Sequence, residues 1–209
     1  MITVVISSYK YGHLAAHCVE SILSQSTKPE RIMFVDDCAG DCSHIHKMYP
    51  EVEYYENPEN YGTVKNFQNM LSKVTSEYCM FIGADNWLRS DSMECLNKVI
   101  NLHHPDVITY DIILTGELKE TRTKHHMQEV TQHQGDYHWH IKAHHGSMLY
   151  KTEMARTVGG YAKYIHTDVN HTCEDWSLWD KMMKAEAKVA HIQQPLLYYR
   201  HHRENFNKY

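Results

Sequence analysis

The chain has 209 residues, a formal net charge of −5 and 42% apolar residues, enough for one large domain that buries roughly 70% of the surface it would expose unfolded. The acidic balance excludes a dedicated nucleic-acid binder, which needs clustered Lys and Arg against phosphates. No window approaches the roughly 20 apolar residues of a bilayer span, and the start at Met1 lacks a basic leader, so a soluble, cytoplasmic protein is expected.

The first apolar run, Ile2 to Ile6, reads as a buried strand, and Ser7-Ser8-Tyr9-Lys10 is the polar turn after it. Leu14, Cys18 and Ile22, with Ala15, Val19 and Leu23, give the stripe of a helix packing on a sheet. Arg31 to Val35 is the second strand and ends in a turn with three acids, Asp36, Asp37 and Asp41. Val52 to Tyr55 makes a third strand, followed by the loop Asn57 to Gly62 and a helical stripe through Val64, Phe67 and Leu71. Tyr78 to Ile82 is a fourth strand, which stops at Gly83-Ala84-Asp85-Asn86, and a helix follows around Asp91 to Leu102. Strands alternating with helices predict an α/β fold with a mostly parallel central sheet flanked by helices. Right-handed crossovers then bring the polar turns to one edge.

Asp85 lies just past a strand's carboxyl end, where open α/β sheets bind ligands, so it is either a metal or hydroxyl ligand or the start of an Asx turn. Neither GxGxxG nor GxxxxGK[ST] occurs, so a dinucleotide fold and a P-loop are both unsupported.

The second half changes character. Val107 to Leu114 and Ser147 to Tyr150 read as strands, while Thr115 to Gly146 is polar and His-rich. That segment is a cover over a site, an acceptor-binding wall or a surface excursion. Trp139 within it offers an aromatic face to a sugar ring. Asp175, Leu178, Trp179 and Met182 share helical spacing after Thr172, so Asp175 either completes a helix cap or faces a wet cleft, where the helix dipole keeps it ionised as a base must be. Val189 to Ile192 is a final strand, with a basic, imidazole-rich tail from Leu196 to Asn205.

Six cysteines lie scattered without CxxC spacing, which reads as reduced thiols, with Cys38 and Cys42 near enough to pair or to share a metal. Eighteen histidines, several in adjacent pairs, make the charge sensitive near pH 6.

Taken in order, these segments resemble family 2 glycosyltransferases of the GT-A fold, especially rhamnosyltransferase-like members. The compact form is also similar to glycosyltransferases encoded by large chlorella viruses. Val4–Lys10 resembles the family's first strand and uridine-contacting turn, and Phe34–Asp41 its VDDxSxD turn. Asn60–Phe67 is similar to the NxGxxKNF segment, Gly83–Asn86 sits where a metal-binding DxDD belongs, Gly159–Tyr161 with Glu174-Asp175 resembles the GGF...ED pair, and Tyr199–His202 the YRxH ending.

The resemblance implies one GT-A domain over 1–209, with a nucleotide-binding half at 1–103 and an acceptor-binding half at 104–209. It implies nucleotide contacts from Ser7, Ser8, Tyr9, Asp36, Asp37, Asn60, Lys65, Gly83 and Ala84, with Asp37 accepting from uracil N3-H. Asp85 would ligate Mn2+ or Mg2+, joined by His201 or else His202. Arg200 would stabilise the departing nucleoside diphosphate, and Asp175, beside Glu174, would deprotonate the acceptor hydroxyl, with Trp139 and Trp176 along the acceptor. The partners implied are a UDP-sugar and a carbohydrate or glycoprotein glycan, and the reaction an inverting, metal-dependent hexosyl transfer. A retaining transferase and a non-catalytic nucleotide-sugar or glycan-binding module are the alternatives. Gly83 replaces the first acid of the DxD, and Asn86 the acid after it, which leaves one charged ligand.

Overall fold

The computed structural model describes residues 1–116, 121–123, 131–133, 136–138, 148–163 and 174–202. In chain order the first half contains β1 (Ile2–Ser8), α1 (Gly12–Leu23), β2 (Arg31–Asp36), α2 (Ser43–Met48), β3 (Glu53–Glu56), α3 (Gly62–Lys73), β4 (Tyr78–Gly83), β5 (Trp87–Leu88) and α4 (Ser92–His103). The second half contains β6 (Val107–Gly116), β7 (Thr121–Thr123), β8 (Thr131–His133), β9 (Asp136–His138), β10 (Met148–Lys151), α5 (Thr152–Thr157), α6 (Glu174–Lys184) and β11 (Val189–His201).

The main sheet runs β3-β2-β1-β4-β10-β6-β11-β5, with β7 on β6. β1 pairs in parallel with β2 and β4, β2 with β3, and β6 with β11, while β10 is antiparallel to both its neighbours. It is therefore a mixed α/β fold with mostly parallel strands, as expected. The sheet curls: its path ends at β5, which begins only three residues after β4 closes, so the last strands return to the carboxyl end of β4.

Continuous apolar runs in β1, β2 and β4 have a direct cause, since both faces of the sheet are covered. Val4, Ile6, Phe34, Met80 and Ile82 pack with α1, α2 and α4. Their alternates Val5, Met33, Val35, Cys79 and Phe81 pack with α3, α5 and α6. On the second face Phe81 meets Phe67 and Tyr161 at ring-centroid distances of 5.3 and 5.2 Å. Truncating Phe81 to Ala would open that cluster at a cost of about 3–5 kcal/mol.

Several elements differ from expectation. β11 continues from Val189 through Pro195 to His201, whereas the sequence suggested a strand near Val189 to Ile192 followed by a basic, imidazole-rich tail. Pro195 donates no hydrogen bond, and the pairing with β6 shifts register on both sides of it, so an irregularity absorbs the proline and the strand resumes. α2 and α5 were not anticipated, because six residues carry too little periodicity to register. The segment 115–146 holds the end of β6 and three short strands, two of them paired as β8-β9; its other residues, Trp139 included, lie outside the described ones. Cys18, Cys42 and Cys79 are buried free thiols, and burial pushes Cys79 up to about 12. No helix among the described residues is long and apolar enough to cross a membrane.

Candidate functional site

The carboxyl ends of β1, β2 and β4 meet the end of β11 at one edge of the sheet. At β2 the acids first fold their own turns. Asp36 is fully buried, and its carboxylate accepts from the backbone N–H of Ala39 at 2.8 Å and of Gly40 at 3.1 Å. Asp41 Oδ2 accepts from the N–H of Gly12 at 2.9 Å, and a Cβ on Gly12 would collide with the Asp41 carbonyl, so glycine is required there. Asp36, Asp41 and Cys42 bring donor atoms within 4.8 Å of one another.

Asp37 is 4% exposed and accepts three hydrogen bonds, from Asn57 Nδ2 at 2.7 Å and from the N–H groups of Tyr61 and Gly62 at 2.9 Å each. Asn57 gives its second amide hydrogen to Asn66 Oδ1 at 2.9 Å, and Asn66 Nδ2 donates to Ser7 Oγ at 3.0 Å. This relay ties β1, β2, the 57–62 loop and α3 together behind the edge. An ionised carboxylate offers about four acceptor positions, so Asp37 has roughly one left for a ligand.

The other nucleotide residues implied by the resemblance divide by exposure. Ser8 is buried, and Cys42 Sγ donates to its Oγ at 3.2 Å, so its side chain faces the interior. Tyr9 is 41% exposed beside the left-handed Lys10. Asn60 Oδ1 accepts from Gly62 N–H at 2.9 Å, closing an Asx turn around a φ of +67° that suits glycine. Lys65 stands in solvent, 3.6 Å from the Tyr61 ring centroid and 3.0 Å from Glu59 Oε1. Ala84 is buried, and its N–H donates to the Ser7 carbonyl at 2.9 Å.

At the end of β4 the residues expected to carry charge converge. Asp85 is 5% exposed, and its Oδ2 lies 3.2 Å from Nε2 of His202. His202 thus places an imidazole on Asp85, while His201 lies within β11, in register with Gly116. Arg200 is fixed from several directions. Its backbone N–H donates to Asn86 Oδ1 and its Nε to the Asp85 carbonyl, each at 2.9 Å. Its guanidinium lies 4.7 Å from the Trp87 ring and 3.1 Å from His17 Nδ1. Trp87 in turn stacks on Tyr198 at 5.1 Å, and Tyr11 packs edge-on against His202 at 5.4 Å. Two cis ligands of an octahedral ion, each about 2.1 Å from it, stand about 3 Å apart. At 3.2 Å, Asp85 and His202 would therefore suit a shared divalent cation.

The helix α6 packs on the α3 side of the sheet, with two acids at its head. Glu174 is buried and Asp175 half-buried, with Asp175 Oδ1 accepting the Trp176 N–H at 2.9 Å. Tyr161 lies close enough for both acids to act on its phenol, which burial, the larger effect, pushes well above its usual range. Tyr161 also bonds Tyr150 at 2.5 Å and packs on Phe81, two residues before Gly83. The Gly159-Gly160 turn that carries Tyr161 is pinned by Gln68 Oε1, which accepts the Tyr161 N–H, and by Lys181, which donates to the Gly160 carbonyl, each at 2.8 Å. Both glycines have positive φ. Trp176 is half-buried and packs against the α3–α6 core cluster.

Sequence reasoning passed over Asn57, Gln68, His17 and Trp87. Only Asn66 lay within a recognised motif, next to Lys65, and nothing local marks the rest, whose partners are distant in the chain.

The family described as Glycosyl transferase family 2 matches residues 3–166. Glycosyltransferase GlyA of Streptococcus pneumoniae serotype 4 is 29% identical over 110 residues, 51% of this chain and 16% of that protein. Among solved structures, S. aureus TarS 1-349 in complex with UDP-GlcNAc superposes with a TM-score of 0.73 at 15% identity, covering 98% of this chain and 59% of that one. The mannosyltransferase PcManGT from Pyrobaculum calidifontis, in complex with GDP-Man and Mn2+, gives 0.69 at 13% identity, covering 98% and 58%. The chain thus spans less than two thirds of the length of each of these relatives. The likenesses to TarS and PcManGT carry the fold, GT-A, while the family match, over well more than half of the residues, carries the assignment. The chain belongs to glycosyl transferase family 2.

Proposed function

We propose that the protein is a metal-dependent, inverting transferase that moves a hexose from a UDP-sugar to a carbohydrate acceptor. The observation that carries this reading is the convergence of Asp85, His202 and Arg200, 115 to 117 residues apart in sequence, at the carboxyl edge of β4. Asp85 and His202 would hold a divalent ion, and the imidazole tilts the choice toward Mn2+ over Mg2+. Such an ion supplies Lewis-acid neutralisation of the diphosphate. PcManGT is bound to GDP-Man and Mn2+ and TarS to UDP-GlcNAc, which supports a nucleotide-sugar donor.

The chain's own residues divide the remaining work. Tyr9 and the backbone of Ser7 and Ser8 flank the base, and Asp37 offers its last acceptor position to uracil N3-H. Asn60 and Asp37 shape the loop beside it. Asp175 takes the proton from the acceptor hydroxyl, whose oxygen attacks the anomeric carbon in line as the bond to the diphosphate oxygen breaks. Arg200, locked over Trp87, faces the charge that develops on that oxygen. The Asn60–Phe67 segment favours a place among rhamnosyltransferase-like members, drawing on cytoplasmic nucleotide sugars.

The single acid left at positions 83–86 favours one second reading, a nucleotide-sugar-binding module without turnover. Incubation with Mn2+ and a panel of nucleotide sugars, with and without glycan acceptors, separates the two. Acceptor-dependent UDP release supports the transferase, and NMR of the product's anomeric configuration checks inversion. Binding without release under every pairing supports the module.

A further inference from the structure

Gly83 stands where the family's DxD begins with an acid, and the structure gives this glycine a function of its own. Its backbone does not require glycine, since its φ is not among the positive ones. Space does. A Cβ on residue 83 would lie 2.5 Å from Oδ1 of Asp85 and 3.0 Å from Nδ2 of Asn86. The Asp85 carboxylate thus folds back into the volume that any side chain at 83 would occupy, with Oδ1 over the glycine and Oδ2 directed to His202 at 3.2 Å. Beside it the Asn86 amide uses its Oδ1 to fix the Arg200 backbone at 2.9 Å.

We infer that Gly83 is a positioning residue: its missing side chain sets the Asp85 carboxylate against His202. The inference rests on the proposed metal role of Asp85 and His202. Restoring a side chain at 83 adds no ligand at the pair; it displaces the ligand already there. Both crowded atoms are tips of side chains, so the change is absorbed by rotation of Asp85 and Asn86 and not by the backbone.

The test is Mn2+ affinity in the presence of UDP, read by the EPR signal of free Mn2+, for the wild type, Gly83→Ala, Gly83→Asp, Asp85→Ala and the double variant Gly83→Ala/Asp85→Ala. Changes to groups that orient a metal ligand weaken binding by about 10- to 100-fold. Gly83→Ala is expected in that range with a metal-free melting temperature near wild type, and Gly83→Asp gains nothing. In the double variant Mn2+ binds no more weakly than in Asp85→Ala, because the glycine acts through that carboxylate. Equal affinity in Gly83→Ala and wild type, a further loss in the double variant, tighter binding in Gly83→Asp or an unfolded Gly83→Ala chain each overturns the inference. Wild-type protein that binds no Mn2+ with UDP overturns the metal reading beneath it, a distinct result.

Discussion

The acids at the end of β2 and the charged groups around the end of β4 lie on the same sheet edge but are held by different means. Around β2, Asp36 accepts from backbone N–H groups three and four residues on, and Asp37 from donors 20 to 25 residues on, all within the first crossover units. Around β4, Asp85 and Asn86 are engaged by residues 114 to 117 positions away, delivered by the far end of β11. The β2 region is thus built within the first crossover units. The β4 region exists only once the sheet has curled and the last strand has passed Pro195.

The largest expected effect falls on chemistry alone. Asp175→Asn is expected to lower kcat by about 10²–10⁴-fold, the range for removal of a general base, while UDP affinity measured by calorimetry stays near wild type. Loss of UDP binding instead would contradict the base role. Next in size is Arg200→Ala, which keeps the backbone bond to Asn86 but removes the guanidinium. The expected fall in kcat is about 10²–10³-fold, as for loss of one donor to a developing oxyanion. Arg200→Lys restores little, since an ammonium cannot both reach the Asp85 carbonyl and lie flat on Trp87.

Those two residues also show what was legible beforehand. β1, β2, β4, α1 and α3 stood out because a sheet covered on both faces needs unbroken apolar runs and its helices need one apolar stripe, both local signals. Asp85 stood out because its run ends on it. His202 could not be told from His201, since neighbours on a strand point to opposite faces and the end of β11 was hidden behind Pro195. The second use of Asp37, as the hub of the Asn57–Asn66–Ser7 relay, was equally invisible, because hydrogen-bond partners chosen by tertiary packing leave no spacing in the sequence.

A smaller effect sharpens the β2 side. Asn57→Ala leaves Asp37 and Asn66 each short of a donor in a buried setting, and a loss of about 1–3 kcal/mol is expected, seen as a lower urea midpoint. A midpoint near wild type would mean that water replaces the amide and that the relay is not structural. The smallest effect is Lys65→Ala. Its contacts with Glu59 and Tyr61 are solvent-exposed, and such pairs contribute at most about 1 kcal/mol. UDP affinity is the informative readout there: a drop of about tenfold would make Lys65 a phosphate ligand, and no change would leave it a surface clasp on the loop.

In the proposed reaction the Asp85–His202 pair would grip a nucleoside diphosphate through a divalent ion. Calorimetric titration of UDP with Mn2+ and with chelator, on wild type and Asp85→Ala, tests it most directly. Wild type is expected to bind UDP at least about tenfold more tightly with Mn2+, as a Lewis acid beside a diphosphate would give, and Asp85→Ala is expected to remove this difference. Equal UDP affinity with Mn2+ and with chelator in wild type, or a metal effect that survives Asp85→Ala, would contradict it.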